Sequence, residues 1–324
     1  MNLENISCWI ITEGMIGTEN QCLGVAEALN ISNPRIIHIG LNQPWKSLSP
    51  WLGFEMPCTF DQPLNGPYPD LVIAAGRKAV AASRYIKKKS GGKTFTVQLQ
   101  DPKCSASHFD LVAVPHHDKL RGKNVLVTHG APNRLNVKKL TDAKKHFTPD
   151  FENLAQPRIA VLIGGNSRTH KITTSIMENL IKQLRSLQGS LMVTASRRTG
   201  DNNLKLLQDG LKGTNAFLWN GTGENPYFGM LAWADHILVT ADSVSMLCDA
   251  GTTGKPVHMI ELDGRSKRFD RFHNHLKDIG MMRPLSLNSS GNLESWEYEP
   301  LTDAANVADV IQTAMQAAMQ KMYG

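Results

Sequence analysis

In the second half of this 324-residue chain, glycines, hydroxyls and arginines gather directly after apolar runs. Gly164, Gly165, Asn166, Ser167 and Arg168 follow the run RIAVLI. Adjacent glycines let backbone N–H groups come close to a phosphate. The next helix N-terminus adds partial positive charge, and Arg168 adds a full one. Ser196, Arg197, Arg198 and Thr199 follow a second run, and paired arginines flanked by hydroxyls suit a diphosphate. Ser243, Val244 and Ser245 open a third segment that reaches Asp249. Asp242 or Ser243 would cap a helix there, its first N–H groups suit a phosphate, and Asp249 would meet a ribose. Glu224 and Asn225 end a glycine loop that starts at Trp219 and is expected nearby. Taken singly, each segment is equally an ordinary turn, basic loop or cap. No Walker sequence and no GxGxxG is present. Open parallel sheets bind ligands beyond the carboxyl ends of their strands. The shared position of these segments therefore points to a nucleotide diphosphate.

The first half carries carboxylates at the equivalent edge. Glu13, Gly14, Gly17, Glu19, Asn20 and Gln21 form a loop whose glycines allow a ligand to approach closely. Glu13 and Glu19 are acid/base candidates, although Glu19 also suits a helix first turn. Asp101, His117 and Asp118 end later strands and are further candidates for a general base. His116, His117 and Asp118 have no third-ligand partner at a matching spacing. Five cysteines without a CxxC pair argue against structural zinc and against a disulfide framework. The expectation is a site with no metal and no cofactor.

Lysine and arginine exceed aspartate and glutamate by 35 − 29 = 6. That excess suits an anionic ligand or an acidic membrane surface, and equally a solubilising one. The basic clusters at Lys87–Lys89 and Arg265–Arg271 come with no nucleic-acid fold signature, so no nucleic-acid partner is expected. The first residues, MNLENISCWIIT, do not read as a signal peptide. No window approaches the roughly 20 apolar residues of a membrane span. The chain reads as cytoplasmic, with peripheral membrane contact or a protein partner left open.

These residues need a scaffold of alternating strands and helices. Strands are expected at Ser7–Thr12, Arg35–Ile39, Asp70–Ala75, Lys93–Gln98, Leu111–Val114 and Asn124–Val127. A proline-rich stretch from Gln43 to Pro69 reads as irregular. Polar residues at Thr141–Pro157 read as a domain boundary. The pattern then restarts with strands at Arg158–Ile163, Ser190–Thr194, Ala216–Trp219, His236–Thr240 and, last, Val257–Ile260. From Leu301 the apolar spacing Val307, Val310, Ile311, Ala314, Ala318 predicts an amphipathic helix. The reading is α/β: two Rossmann-like domains facing each other across a cleft. Residues 1–150 form the first domain, 151–300 the second, and 301–324 a C-terminal helix able to pack back on the first domain.

Several long stretches resemble the mitochondrial-fission "elongated mitochondria" family, named for a plant protein and widespread in bacteria. They include GTENQCLGVAEAL (17–29), FDLVAVPHHD (109–118), NVLVTHGAPNR (124–134), RIAVLIGGNSR (158–168), LMVTASRRT (191–199) and GENPYFGMLAWADHILVTADSVSM (223–246). The opening loop departs from many bacterial members, with Met15 and Thr18 where they carry a basic residue and a histidine. The resemblance implies a GT-B-like fold, with the donor bound by the C-terminal half and the acceptor by the N-terminal half. It implies that Gly164, Gly165, Ser243 and Ser245 lie by a diphosphate and Asp249 by a ribose. It also implies glycosyl transfer without a bound metal, with Asp101 or Glu13 as base. The alternatives are a non-catalytic recruitment scaffold and a nucleotide-sugar epimerase. Plant members act in mitochondrial fission.

Overall fold

Continuous apolar runs such as LVIAA and HILVT cannot alternate between a core face and a wet one, so both faces of the strands they form must be covered. The computed structural model, which describes residues 6–288 and 290–323, has this arrangement twice. In the first sheet all neighbours are parallel, in the order β2 (Arg35–His38), β1 (Cys8–Thr12), β3 (Leu71–Ala75), β4 (Phe95–Leu99), β5 (Leu111–Pro115) and β6 (Val125–Thr128). The second is parallel too: β12 (Met282–Pro284), β11 (Val257–Ile260), β10 (His236–Thr240), β7 (Arg158–Ile163), β8 (Ser190–Ala195) and β9 (Ala216–Leu218). Strands β1, β3, β5 and β10 are buried at every residue.

In both sheets the chain leaves a central strand in one direction and later returns to build the other way. The reversal falls between β1 and β3 in the first sheet and between β7 and β10 in the second. Beyond the carboxyl ends of such a pair, the loops diverge to opposite faces and leave a crevice.

Residues up to Arg134, joined by those from Thr302 onward, form one compact unit, and Leu135–Leu301 form the other. The chain thus divides after Arg134, before the polar stretch at 141–157. The reason is helix α4 (Val137–His146), which packs on α8 (Tyr227–Trp233) of the second unit. There Trp233 donates from Nε1 to the Lys144 carbonyl at 2.9 Å. Helix α11 (Asp303–Tyr323) lies against α1 (Ile16–Ala28). Its Val307, Ala308, Ile311 and Met315 complete an apolar cluster with Cys22, Val25, Leu71 and Val97. Both Asp303 carboxylate oxygens are met by backbone donors, His129 N at 2.9 Å and Gly130 N at 2.8 Å.

Several elements lie outside the sequence reading, α4 among them. Strand β12 follows Val257–Ile260 at the sheet edge, and Lys267, Arg268 and Arg271 of the basic cluster sit on helix α10 (Lys267–Asp278), which Arg265 precedes. Within the proline-rich stretch a short helix, α2 (Trp45–Leu48), buries Trp45.

Candidate functional site

The glycine turn after β7 sits at the second sheet's reversal, beside the loop that leaves β10. Gly164 N donates to Thr240 Oγ1 at 2.7 Å, and Gly165 N donates to Asp242 Oδ2 at 3.1 Å. The Gly164 carbonyl accepts from the hydroxyls of Ser196, at 2.8 Å, and Thr199. A Cβ at Gly165 would lie 2.1 Å from the Arg198 carbonyl carbon, and one at Gly164 would lie 2.3 Å from Asp242 Oδ1. These glycines therefore admit the chain's own backbone and the Asp242 carboxylate. The two amides that the sequence offers to a phosphate already have internal acceptors.

Asp242 is the hub of this arrangement. It is 4 % exposed, and Oδ2 also meets Arg198 Nη2 at 2.8 Å. Its Oδ1 is enclosed with no hydrogen-bond partner among the described residues. Neighbouring polar groups are also tied into local turns. Asn166 N donates to the Arg198 carbonyl at 2.9 Å, and Asn166 Oδ1 accepts from Ile172 N at 3.0 Å. Ser167 Oγ accepts from His170 N at 3.0 Å. Arg168 and Arg197 are exposed.

Helix α9 (Val244–Gly251) begins at the same edge. Ser243 Oγ caps it by accepting from Met246 N at 3.4 Å. The N–H groups of Val244 and Ser245 lie in the first turn, ahead of the helix's own hydrogen-bond ladder, and remain suited to an anion. Two turns along, Asp249 Oδ2 accepts from the Tyr227 hydroxyl at 2.9 Å. Burial raises the Asp249 carboxyl to about 7, against the lowering effect of the Tyr227 bond. Burial and the facing carboxylate raise Tyr227 further above its ordinary value. In the loop before α8, Glu224 is exposed and 2.8 Å from His146 Nε2, and Asn225 Oδ1 accepts from Tyr227 N at 3.1 Å.

Beside Asp242 opens a cavity of about 380 Å³, lined by His170, Ala241, Glu261, Arg265, Asp270 and His273 among others. His273 Nε2 donates to the Ala241 carbonyl at 2.9 Å. Burial pushes the His273 imidazole down to about 4 and also lowers His170.

In the first unit, Glu13 leaves β1 at the reversal point. Its Oε1 accepts from Lys78 N at 3.1 Å, and its Oε2 is 3.2 Å from Lys78 Nζ. It thereby serves the first turn of α3 (Arg77–Lys89). Gly14, at φ +80, passes over the His38 ring, whose Nε2 pairs with Glu19. Gly17 and Asn20 lie in the first turns of α1, and Gln21 Oε1 accepts from Gln100 Nε2 at 3.0 Å. Asp101 closes its own turn, with Oδ1 accepting from Lys103 N at 2.9 Å and Oδ2 2.6 Å from Lys103 Nζ. The Arg121 guanidinium binds the carbonyls of His116 and Asp118. Among the described residues, no three His, Cys, Asp or Glu side chains form a group able to hold a metal ion.

The family model described as "Mitochondrial fission ELM1" matches residues 16–315. The chain belongs to this family. A relative in the family's name is the "Mitochondrial fission protein ELM1" of Arabidopsis thaliana, 26 % identical, with 95 % of this chain and 91 % of that protein covered. An uncharacterised protein of Rickettsia prowazekii is also 26 % identical, over 76 % of this chain and 80 % of its own length. Among solved structures, the UDP-GlcNAc 2-epimerase of Methanocaldococcus jannaschii, in complex with UDP-GlcNAc and UDP, is similar at a TM-score of 0.53. It is 13 % identical, with 98 % of this chain and 100 % of that one covered. The fold of this ELM1-family chain is GT-B-like.

This ELM1-family chain thus gathers guanidinium groups, a helix N-terminus and the Asp242 carboxylate at one sheet edge, with Asp249 two turns along α9. Sequence reasoning weighed Asp242 only as a cap and did not identify Tyr227 or the cavity residues His170, Glu261, Arg265 and His273. The spacing Phe269, Phe272, Leu276 inside the basic cluster was the signal that could have revealed α10.

Proposed function

We propose that the second unit binds a nucleoside diphosphate sugar and that the protein transfers the sugar to an acceptor hydroxyl. The observation that carries this reading is the convergence of three loops, after β7, β8 and β10, at the reversal point of one parallel sheet. Arg168, Arg197 and the first turn of α9 would hold the diphosphate, with Ser245 beside them. Asp249 would accept from ribose hydroxyls once ionised. In the transfer, the bond from the anomeric carbon to the diphosphate oxygen breaks and its electron pair leaves with the diphosphate. Guanidinium and helix N-terminal charge stabilise that leaving group. The acceptor oxygen bonds the anomeric carbon and gives up its proton to a base, for which the sequence offers Glu13 and Asp101 as candidates.

Two observations favour a second reading, a non-catalytic protein that recruits a partner. Asp242 already satisfies Gly165 N and Arg198, and Tyr227 already satisfies Asp249.

A thermal-shift series with UDP, GDP, CDP, ADP and their sugar conjugates tests the proposal, with Arg197→Ala/Ser245→Ala as control. Ligand at about 100 times its dissociation constant adds roughly 2.7 kcal/mol of stability. Stabilisation by one nucleotide that is lost in the control supports donor binding, and release of nucleoside diphosphate from that donor supports catalysis. No response at millimolar ligand removes the donor site. Binding without turnover leaves the recruitment reading.

A further inference from the structure

The first unit leaves a set of large apolar side chains in solvent on one short segment. Trp51 is 69 % exposed, Phe54 53 %, Leu48 46 % and Met56 44 %. Scattered apolar side chains are ordinary on a surface, whereas a contiguous group calls for an explanation.

This segment is held rigidly. Trp45 is buried, donates from Nε1 to the Phe54 carbonyl at 2.6 Å, and packs edge-on against the Phe54 ring at 5.8 Å. Arg77 donates to the carbonyls of Ser49 at 2.9 Å and Lys46 at 3.1 Å. Arg84 donates to the Pro50 carbonyl at 2.9 Å and pairs with Glu55. Clamping at 46, 49, 50 and 54 fixes the loop with its apolar side chains outward, so little ordering entropy remains to be lost on docking. Arg77 opens α3 after β3. Met15 and Ile16, 57 % and 65 % exposed, leave the neighbouring strand β1 at the same carboxyl edge.

Within the segment 45–56 the exposed charge has one sign. Glu55 is the sole acid between residues 45 and 56, and its carboxylate is buried against Arg84. Lys46 and Arg77 are exposed, and Lys88 lies within electrostatic range of Glu55. A tryptophan at the tip, apolar neighbours and a basic border match the layered chemistry of a bilayer surface. There an indole sits at headgroup depth and lysines meet anionic lipid.

We propose that segment 45–56, with Met15 and Ile16, seats the first unit on an anionic lipid bilayer. This is independent of nucleotide binding by the second unit.

Sedimentation of the full chain with vesicles tests the proposal, using phosphatidylcholine alone and an equal mixture with phosphatidylglycerol. The wild type should pellet with the mixed vesicles, and binding should weaken as salt is raised. Leu48→Ser/Trp51→Ser should lower binding about tenfold, while melting as the wild type does because both side chains are exposed. Lys46→Glu gives an independent reading and should also release the protein. No binding to mixed vesicles overturns the proposal. So does equal binding by wild type and both variants, or equal binding to the two vesicle types.

Discussion

Replacing Asp249 by Asn keeps an acceptor for the Tyr227 hydroxyl and removes a charge that burial disfavours. The carboxyl lies at about 7 in the folded protein against an ordinary 3.8. A group whose folded value is raised holds a proton that the unfolded chain has released. From about pH 4 to about pH 7 the folded wild type therefore binds more protons, and its stability falls as pH rises. At roughly 1.36 kcal/mol per unit, that interval corresponds to about 4 kcal/mol. Asp249 retains some solvent exposure, and screening reduces the expectation to about 2 kcal/mol. Urea denaturation of both proteins across the window should show similar stabilities at the acid end. Asp249→Asn should be about 2 kcal/mol more stable near pH 8. A stability difference that does not change with pH would refute the reasoning. If Asp249 also meets a ribose, the same variant should bind the nucleotide more weakly while folding better.

Arg198→Ala should cost about 1–3 kcal/mol, because it strips the buried Asp242 carboxylate of its ion pair, and chemical denaturation measures this directly. Gly24→Ala should destabilise by about 1–3 kcal/mol although alanine is the better helix former, because its Cβ would overlap the Asn133 carbonyl oxygen at 2.1 Å. A higher melting temperature would show that α1 can shift. His258, buried beside His236 and Trp296, is pushed down to about 4 by burial. Below its ordinary 6.5 the unfolded chain takes up the proton first, so stability should fall as pH drops from 6.5 toward about 4. His258→Gln should flatten that acid limb of the melting curve.

Strand positions were legible because buried parallel strands appear as unbroken apolar runs, and the runs at Arg158–Ile163 and His236–Thr240 match residue for residue. Helix α10 was hidden by its composition, since Lys267, Arg268 and Arg271 draw the eye away from Phe272 and Leu276, which are buried. Strand β12, three residues long with a proline, carries too little pattern to stand out. The gathering of loops at the sheet edge could be inferred from strand order. What Gly164 and Gly165 bond to could not, because their acceptors Thr240 and Asp242 lie 76 and 77 residues away and meet them only after two strands pair. The same holds for Asp249, whose state depends on a tyrosine 22 residues earlier.

Helix α11 has a consequence for the order in which the molecule can be built. The second unit is one continuous length of chain, inserted between two portions of the first. It can condense as soon as Leu301 is available, while the earlier-made first unit still lacks the helix that covers Val25 and Leu71 and the carboxylate that binds the amides of His129 and Gly130. Units generally fold from the N-terminus as they emerge from the ribosome. Here the unit begun first is finished after the second, and its apolar flank stays open until the helix that follows Leu301 has been made.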